Sequence, residues 1–140
     1  MTARETLAYI TRLNGIVREK ASAKIEEVLS LVGLSEVTDK EVGKFSRGMQ
    51  QRLGIAATLV KEPKLVILDE PTLGIDPQGT EQILGLIERM KEDENITVLL
   101  CSHLLHQVQK MCDRIGIISR GKLVAVGSVD ELRTLSLIHI

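Results

Sequence analysis

The 140-residue sequence has few aromatic residues, few cysteines and almost no net charge. One phenylalanine, one tyrosine and no tryptophan leave little to stack on a nucleobase, so a bound nucleotide would be held mainly through its phosphates. Two cysteines are too few for a disulfide framework or a zinc site. With 18 Lys and Arg residues against 19 Asp and Glu, the net charge is −1, and we expect no nucleic acid partner.

Long apolar runs are also absent. No stretch approaches the ~18 residues that span a bilayer, and the first nine residues include Arg4 and Glu5 where a signal peptide would be apolar. We therefore expect the protein to be made and kept in the cytoplasm. Hydrophobic residues still make up 44% of the chain, which excludes a disordered polar chain and suffices for a packed core.

Residues 1–62 have the pattern of α-helices. Thr2 and Glu5 form a capping-box pattern that begins a first helix, and apolar residues recur at three- and four-residue spacing over 21–32, which predicts a second helix. After a polar loop, Ser46 is placed to cap a third helix over residues 47–60. We predict an α-helical subdomain over residues 1–62.

Residues 63–135 alternate between apolar runs and helical patterns. Three apolar runs with helices between them favour three parallel strands joined by helical crossovers. These runs are residues 65–68, 96–101 and 114–119. Arg120 and Gly121 predict a tight turn into an antiparallel hairpin. We predict an α/β part over residues 63–135 and assign no role to the tail, residues 136–140.

Two adjacent carboxylates, Asp69 and Glu70, follow the apolar run 65–68. Ligands of open α/β sheets bind beyond the carboxyl ends of the strands, so both side chains are candidates for a site. One carboxylate can serve a Mg²⁺ ion while the next orients or deprotonates a water, and phosphoryl transfer to water needs both functions. A strand that ends in a solvated acidic turn is the structural alternative.

Four segments resemble, in their order and spacing, motifs of the ATP-binding cassette (ABC) ATPases. They are residues 45–52 (FSRGMQQR) for the signature motif, 65–70 (LVILDE) for Walker B, 74–77 (GIDP) for the D-loop and 102–103 (SH) for the H-loop. The resemblance covers nearly the whole chain. It implies an α/β fold with a P-loop NTPase-like parallel sheet and crossover helices, lacking the Walker A strand and loop, together with an ABC-type α-helical subdomain. It also implies ATP and Mg²⁺ as ligands.

For catalysis, the resemblance implies Glu70 as the general base, Asp69 as the carboxylate of the Mg²⁺ site and His103 as a contact to the γ-phosphate. A neutral imidazole can donate to a phosphate oxygen or help to place the water. If the strands are parallel, His103 follows its strand at the same edge as the two carboxylates. A lone histidine is otherwise more often a helix cap or a surface residue.

For nucleotide binding, the resemblance implies that Ser46 and Gly48 receive the γ-phosphate of ATP held by the opposite subunit. It implies Asp76 as the D-loop residue that links the two sites. A helix N-terminus with a hydroxyl is a ready anion site, although Ser46 and Asp76 are also ordinary helix caps. The family's usual Leu-Ser-Gly-Gly-Gln reads Phe-Ser-Arg-Gly-Met here, so Arg47 and Met49 depart from the family pattern.

No complete Gly-x-x-x-x-Gly-Lys-[Ser/Thr] sequence occurs in the 140 residues. Residues 116–123 come within one residue of it, but Leu123 has no hydroxyl for Mg²⁺ and the segment is predicted to be strand, turn and strand. By resemblance, the sequence corresponds to the carboxyl-terminal part of an ABC ATPase domain, from just after the glutamine loop. We expect these residues alone to be inactive as an ATPase.

The resemblance implies the ATP-binding and ATP-hydrolysing subunit of an ABC transporter, similar to exporter-type cassettes. Two cassettes would sandwich two ATP molecules, so the expected partners are a second ABC ATPase subunit, identical or different, and a transmembrane transporter subunit. The protein would then lie on the cytoplasmic face of the cell membrane. Two alternatives stay open: a partial, non-hydrolysing cassette that acts only as an interaction module, and a soluble ABC ATPase that works outside transport.

Overall fold

The computed structural model describes residues 1–134, which form two compact units, one spanning Met1–Leu99 and the other beginning at Leu100. The predicted boundary after residue 62 separates a helical part from an α/β part by their sequence patterns, which is a different kind of division. That boundary stays a prediction. The tail, residues 136–140, lies outside the described residues. Within the described part of the chain, no helix has both the length and the apolar character needed to cross a membrane.

Three mutually packed helices begin the first unit: α1 (Ala3–Leu13), α2 (Arg18–Leu31) and α3 (Arg47–Leu59). The first begins where the capping box predicts, because Thr2 Oγ1 accepts from the Glu5 N–H (3.2 Å) and the Glu5 carboxylate accepts from the Thr2 N–H (2.8 Å). The loop before α3 contains two short 3₁₀ turns that the sequence did not predict. Buried apolar side chains of the three helices include Leu7, Ile25, Leu29, Leu53, Ile55 and Leu59.

An α/β crossover follows the three helices, with β1 (Leu65–Asp69), α4 (Pro77–Glu92) and β2 (Thr97–Cys101), whose last two residues belong to the second unit. The Thr97 N–H donates to the carbonyl of Lys64 (2.9 Å), so the two strands start side by side and run parallel in a two-stranded sheet. Helix α4 packs against α3. The predicted α/β class, with a parallel pair joined by a crossover helix, is confirmed.

The two faces of β1 differ in burial. Val66 and Leu68 are buried, whereas Leu65 and Ile67 are 53% and 63% exposed. Successive side chains of a strand point to opposite faces, so one face of β1 is covered and the other is open in the described structure.

The second unit contains α5 (Leu105–Met111), β3 (Ile115–Ser119), β4 (Lys122–Gly127) and α6 (Val129–Thr134). Arg120 and Gly121 form the predicted two-residue turn, and both have left-handed backbone angles (φ 50° and 74°). Ile115 and Leu132 are the buried centre of this unit. Around them pack the partly buried Val108, Cys112, Ile117, Ala125 and Val129.

The predicted antiparallel hairpin of residues 114–119 with the next strand is confirmed, but the prediction that these residues also form a third strand of the parallel sheet is wrong. In the described residues β3 belongs to a separate two-stranded sheet and pairs antiparallel with β4. The physical reason is local: a two-residue turn with two left-handed residues matches the strand twist of a hairpin and returns the chain directly alongside β3. The register shifts between Ile117 and Ile118, which marks a bulge.

Candidate functional site

The N-terminus of α3 carries the candidate anion site. Ser46 is the N-cap, with extended backbone angles (φ −64°, ψ 161°), and its Oγ accepts from the Met49 N–H at 3.2 Å. Ser46 is exposed, so its hydroxyl at the N-terminus of the helix is open to solvent. The first amides of a helix have no partner within the helix and carry the positive end of its dipole, so this end suits an anion.

Gly48 is the second residue of α3 and is buried against the loop that precedes α4. A β-carbon added to Gly48 would stand 3.4 Å from Ile75 Cγ2 and 3.8 Å from Gly79 Cα. The absence of a side chain at Gly48 therefore brings the predicted signature and D-loop segments together. This contact joins positions that are 27 and 31 residues apart in sequence, and the sequence pattern alone did not predict it.

The two carboxylates after β1 occupy different environments. Asp69 ends the strand with an exposed side chain, whereas Glu70 is only partly exposed and its Oε2 is shielded from solvent. Glu70 has a left-handed backbone (φ 46°). A non-glycine residue in this region costs of order 1 kcal/mol, and such residues cluster at functional sites. The predicted carboxylates are thus adjacent in sequence but differ in backbone conformation and burial.

A short hydrogen-bonded turn leads from Glu70 to α4. The Leu73 N–H donates to the Glu70 carbonyl (3.1 Å) and the Ile75 N–H donates to the Thr72 carbonyl (3.3 Å). Thr72 is 4% exposed, so the middle of this turn is packed rather than a solvated acidic loop. The structure therefore brings Glu70 and the predicted D-loop together within one compact turn.

Asp76 performs the structural role that its sequence position predicts. Its Oδ2 accepts from the Gly79 N–H at 3.4 Å, and Pro77 is the first residue of α4. A β-carbon on Gly79 would stand 2.6 Å from Ile75 Cγ2 and 2.9 Å from Asp76 Oδ1, closer than packing allows. Sequence reasoning missed Gly79, although a glycine three residues after an Asp cap was the available signal.

His103 lies in the second unit, in the segment between β2 and α5, and its side chain is exposed. The hydroxyl of Ser102 accepts from the Leu104 N–H at 3.1 Å, which shapes the backbone on both sides of the histidine. The predicted proximity of His103 to Glu70 stays a prediction.

Arg52 is a second residue that sequence reasoning missed. Its Nη1 donates to the carbonyls of Val32 and Gly33, both at 3.0 Å, and so ties α3 to the C-terminal end of α2. Burial lowers the pKa of this guanidinium, which still leaves it charged at neutral pH. A cation at the end of a helix also complements the negative end of the helix dipole. Arg52 therefore supports the helix that presents Ser46.

The described residues fit a Mg²⁺ ion that is held mostly by a nucleotide. Over residues 1–134, no group of three or more His, Cys, Asp and Glu side chains is arranged to hold a metal. Mg²⁺ in nucleotide sites usually takes one or two protein carboxylates and completes its shell with phosphates and waters. Asp69, a single exposed carboxylate at the end of a strand, matches that requirement.

The family model, the curated relatives and the solved structure that match this chain are all described as ABC transporter proteins or as ATP-binding proteins of transport or import. A family model described as ABC transporter matches residues 1–73. The chain is 45% identical over 133 residues to the bacitracin transport ATP-binding protein BcrA of Bacillus licheniformis, covering 95% of this chain and 42% of that protein. It is 35% identical over 128 residues to the methionine import ATP-binding protein MetN of Geobacillus kaustophilus, covering 91% of this chain and 37% of that protein.

A solved structure described as the ATP binding subunit of an ABC transporter superposes with a TM-score of 0.77 at 29% identity. The match covers 98% of this chain and 57% of that one. The present chain spans about two fifths of the length of the curated relatives it matches.

Proposed function

Because this chain belongs to the ABC transporter family, we propose that it is the part of an ATP-hydrolysing subunit that carries the Walker B carboxylates and the signature helix. The observation that carries the proposal is the contact between the two motifs. Gly48, in the first turn of α3, lies against Ile75, five residues after Glu70. An anion-binding helix end and a candidate general base are thus connected within one unit.

In this proposal Glu70 is the general base for ATP hydrolysis. A water attacks the γ-phosphorus, its proton passes to the Glu70 carboxylate, and the bond to the bridging oxygen breaks to release ADP and phosphate. Mg²⁺, held through Asp69 and the nucleotide, supplies charge neutralisation of the phosphates when bound. His103 donates to the γ-phosphate. The position of Glu70 directly after β1 supports its role, since ligands of open α/β sheets bind beyond the carboxyl ends of the strands.

Ser46 and Gly48 complete the site of a second subunit. The exposed hydroxyl of Ser46 is a donor for a γ-phosphate bound on that partner, and the positive end of the α3 dipole favours an anion at the same place. Asp76, which caps α4 beside this surface, contributes the link between the two sites. The second subunit is another ABC ATPase, identical to this one or different.

We place the complete subunit on the cytoplasmic face of the cell membrane, bound to a transmembrane transporter subunit. We propose export as the direction of transport, because residues 46–49 and 71–77 resemble exporter-type cassettes. The relatives include one named for bacitracin transport and one named for methionine import, so a transport assay in both directions is the measurement that decides it.

The test of hydrolysis uses a full-length subunit that contains this sequence. Glu70→Gln is expected to lower the rate of phosphate release by about 10²–10⁴-fold, because the amide keeps the size of the side chain but does not accept the proton. ATP-dependent dimerisation, followed by sedimentation, should persist. Asp69→Asn should instead weaken nucleotide binding as well as hydrolysis, because it alters the Mg²⁺ site.

Glu81→Gln is the matched control for this test. Glu81 is an exposed carboxylate on α4 in the same unit, so the substitution removes the same charge outside the site. We expect the parental rate for this variant. A Glu70→Gln variant that also keeps the parental rate would show that another group activates the water.

A further inference from the structure

Arg47 lies over the turn that follows Glu70. A β-carbon added to Gly74 would stand 2.6 Å from Arg47 Nη1, 2.9 Å from Cζ and 3.5 Å from Nε. Three atoms of the guanidinium therefore lie where a side chain of residue 74 would begin. Arg47 is the first residue of α3 and its side chain is otherwise exposed.

Gly74 is needed at this place for two reasons. Its backbone is left-handed (φ 68°), a conformation that glycine adopts without steric cost. Its missing side chain also leaves the space into which the planar guanidinium fits. Lysine has no planar group, so it would not cover the backbone of Gly74 in the same way.

The turn is held to α3 at two consecutive residues. Gly74 lies under Arg47, and Ile75 lies against Gly48 in the next position of the same helix. The Leu73 N–H bond to the Glu70 carbonyl connects these contacts to the base of the turn. A movement of the N-terminus of α3 is therefore transmitted to the backbone of Glu70 through packed atoms.

We propose that Arg47 is a positioning residue, whose guanidinium lies across Gly74 and holds the 70–76 turn against the N-terminus of α3. The signature pattern of the family usually has glycine at this position, so this sequence departs from the usual pattern at Arg47. Its consequence for hydrolysis rests on the function proposed above, whereas the contact itself does not. The phosphate-binding helix end and the Glu70 turn then move as one body.

The first test measures amide hydrogen exchange in the full-length subunit, over a peptide that covers Leu73 and Ile75. Arg47→Ala is expected to raise the amide exchange rate of this peptide several-fold, because the guanidinium no longer shields the turn from solvent. Arg47→Lys should behave like Arg47→Ala. Arg18→Ala is the matched control, since Arg18 is also an exposed arginine at the first position of a helix. Equal exchange in the Arg47→Ala and Arg18→Ala variants would overturn the proposal.

The second test is a double-mutant cycle. Gly74→Ala should destabilise the turn because the new β-carbon displaces the flexible guanidinium and the contact is lost, so the loss that it shares with Arg47→Ala should count only once in the double variant. The rest of the Gly74→Ala loss reflects the left-handed backbone of residue 74. Additive effects of the two substitutions on the free energy of exchange would show that Arg47 and Gly74 do not interact, which contradicts the contact. The cycle still tests the contact if Arg47→Ala alone perturbs α3, because it compares the effect of Gly74→Ala with and without the arginine.

The third measurement separates this inference from the proposed function. Arg47→Ala should lower kcat for ATP several-fold and leave the KM nearly unchanged, since Arg47 places the turn of Glu70 on its own subunit. An unchanged kcat with faster exchange would refute the positioning role in catalysis. A parental subunit without any ATPase activity would refute the proposed function, and the exchange data would still decide the contact.

Discussion

At the scale of single residues, Glu70 combines a chemical role with an unfavourable backbone. Its position after an apolar strand identifies it in the sequence, but its left-handed φ of 46° has no sequence signal, because glycine, asparagine and aspartate are the residues that favour this region. Such a residue persists only where surrounding contacts hold it. The hydrogen bond from the Leu73 N–H to its carbonyl is one of those contacts.

This conformation predicts an inverted order of stability at position 70. Glu70→Gly should be more stable than Glu70→Ala by about 1 kcal/mol, because alanine keeps the β-carbon that opposes a left-handed backbone and glycine does not. Both variants remove the carboxylate, so its own interactions cancel in the comparison. Urea denaturation of the two variants measures the difference. Where the backbone is not strained, alanine is the more stable residue, because the unfolded chain with glycine has more conformational entropy to lose. An alanine variant that is more stable than the glycine variant would therefore contradict the backbone strain at residue 70.

At the scale of elements, the helix starts were predictable and the strand partners were not. Thr2, Ser46 and Asp76 each cap a helix as the sequence predicts, because capping chemistry involves residues only two or three positions apart. The hairpin of β3 with β4 was predicted from its turn residues, but the place of β3 in the parallel sheet was predicted wrongly, since an apolar run does not say which sheet it joins. The contacts of Gly48 and Arg47 with residues 74–79 were unpredictable for the same reason: they join distant parts of the sequence.

The capping box of α1 predicts a pH dependence of stability. Hydrogen bonding from the Thr2 backbone N–H holds the pKa of Glu5 below its ordinary value of 4.5. A carboxylate with a lowered pKa in the folded state stabilises the protein above its unfolded pKa, and this contribution is lost as the pH falls through the folded pKa. The stability advantage of the parental protein over Glu5→Gln should therefore be present at neutral pH and disappear in acid.

Thermal denaturation of both proteins across this pH range checks the prediction. Glu19→Gln, an exposed carboxylate in the first turn of α2, is the control. The N-cap of that helix is Val17, which makes no side-chain capping bond, so no capping box acts there. A parental advantage that persists unchanged in acid would show that the Glu5 carboxylate contributes nothing through its charge.

At the scale of the whole molecule, both units expose large apolar side chains on their strands. In the first unit, Ile67 is 63% exposed and Leu99 is 52% exposed. In the second, Ile118 is 71% exposed and Leu123 is 63% exposed. Within each unit, large apolar side chains exposed on a strand favour packing against other protein, and unpaired strand edges favour association.

We therefore expect the 140-residue chain on its own to self-associate. Light scattering and sedimentation over a range of concentrations measure this directly. Ile67→Lys should reduce the association, because it places a charge on the open face of β1, whereas Thr97→Lys changes an exposed polar residue and should have a smaller effect. A chain that stays monomeric and unfolds cooperatively at high concentration would contradict the expectation.

The contact of Ile75 with two glycines makes position 75 sensitive to branching rather than to size. Its Cγ2 lies within 4 Å of where side chains of Gly48 and Gly79 would begin, so a single methyl group occupies the space that both glycines leave. Valine is smaller than isoleucine but carries this same methyl group. Leucine is an isomer of isoleucine with equal volume and equal hydrophobicity, yet its β-carbon carries no methyl group. Leucine and isoleucine therefore differ at this position, because only isoleucine carries the methyl group on the β-carbon that fills the space beside both glycines.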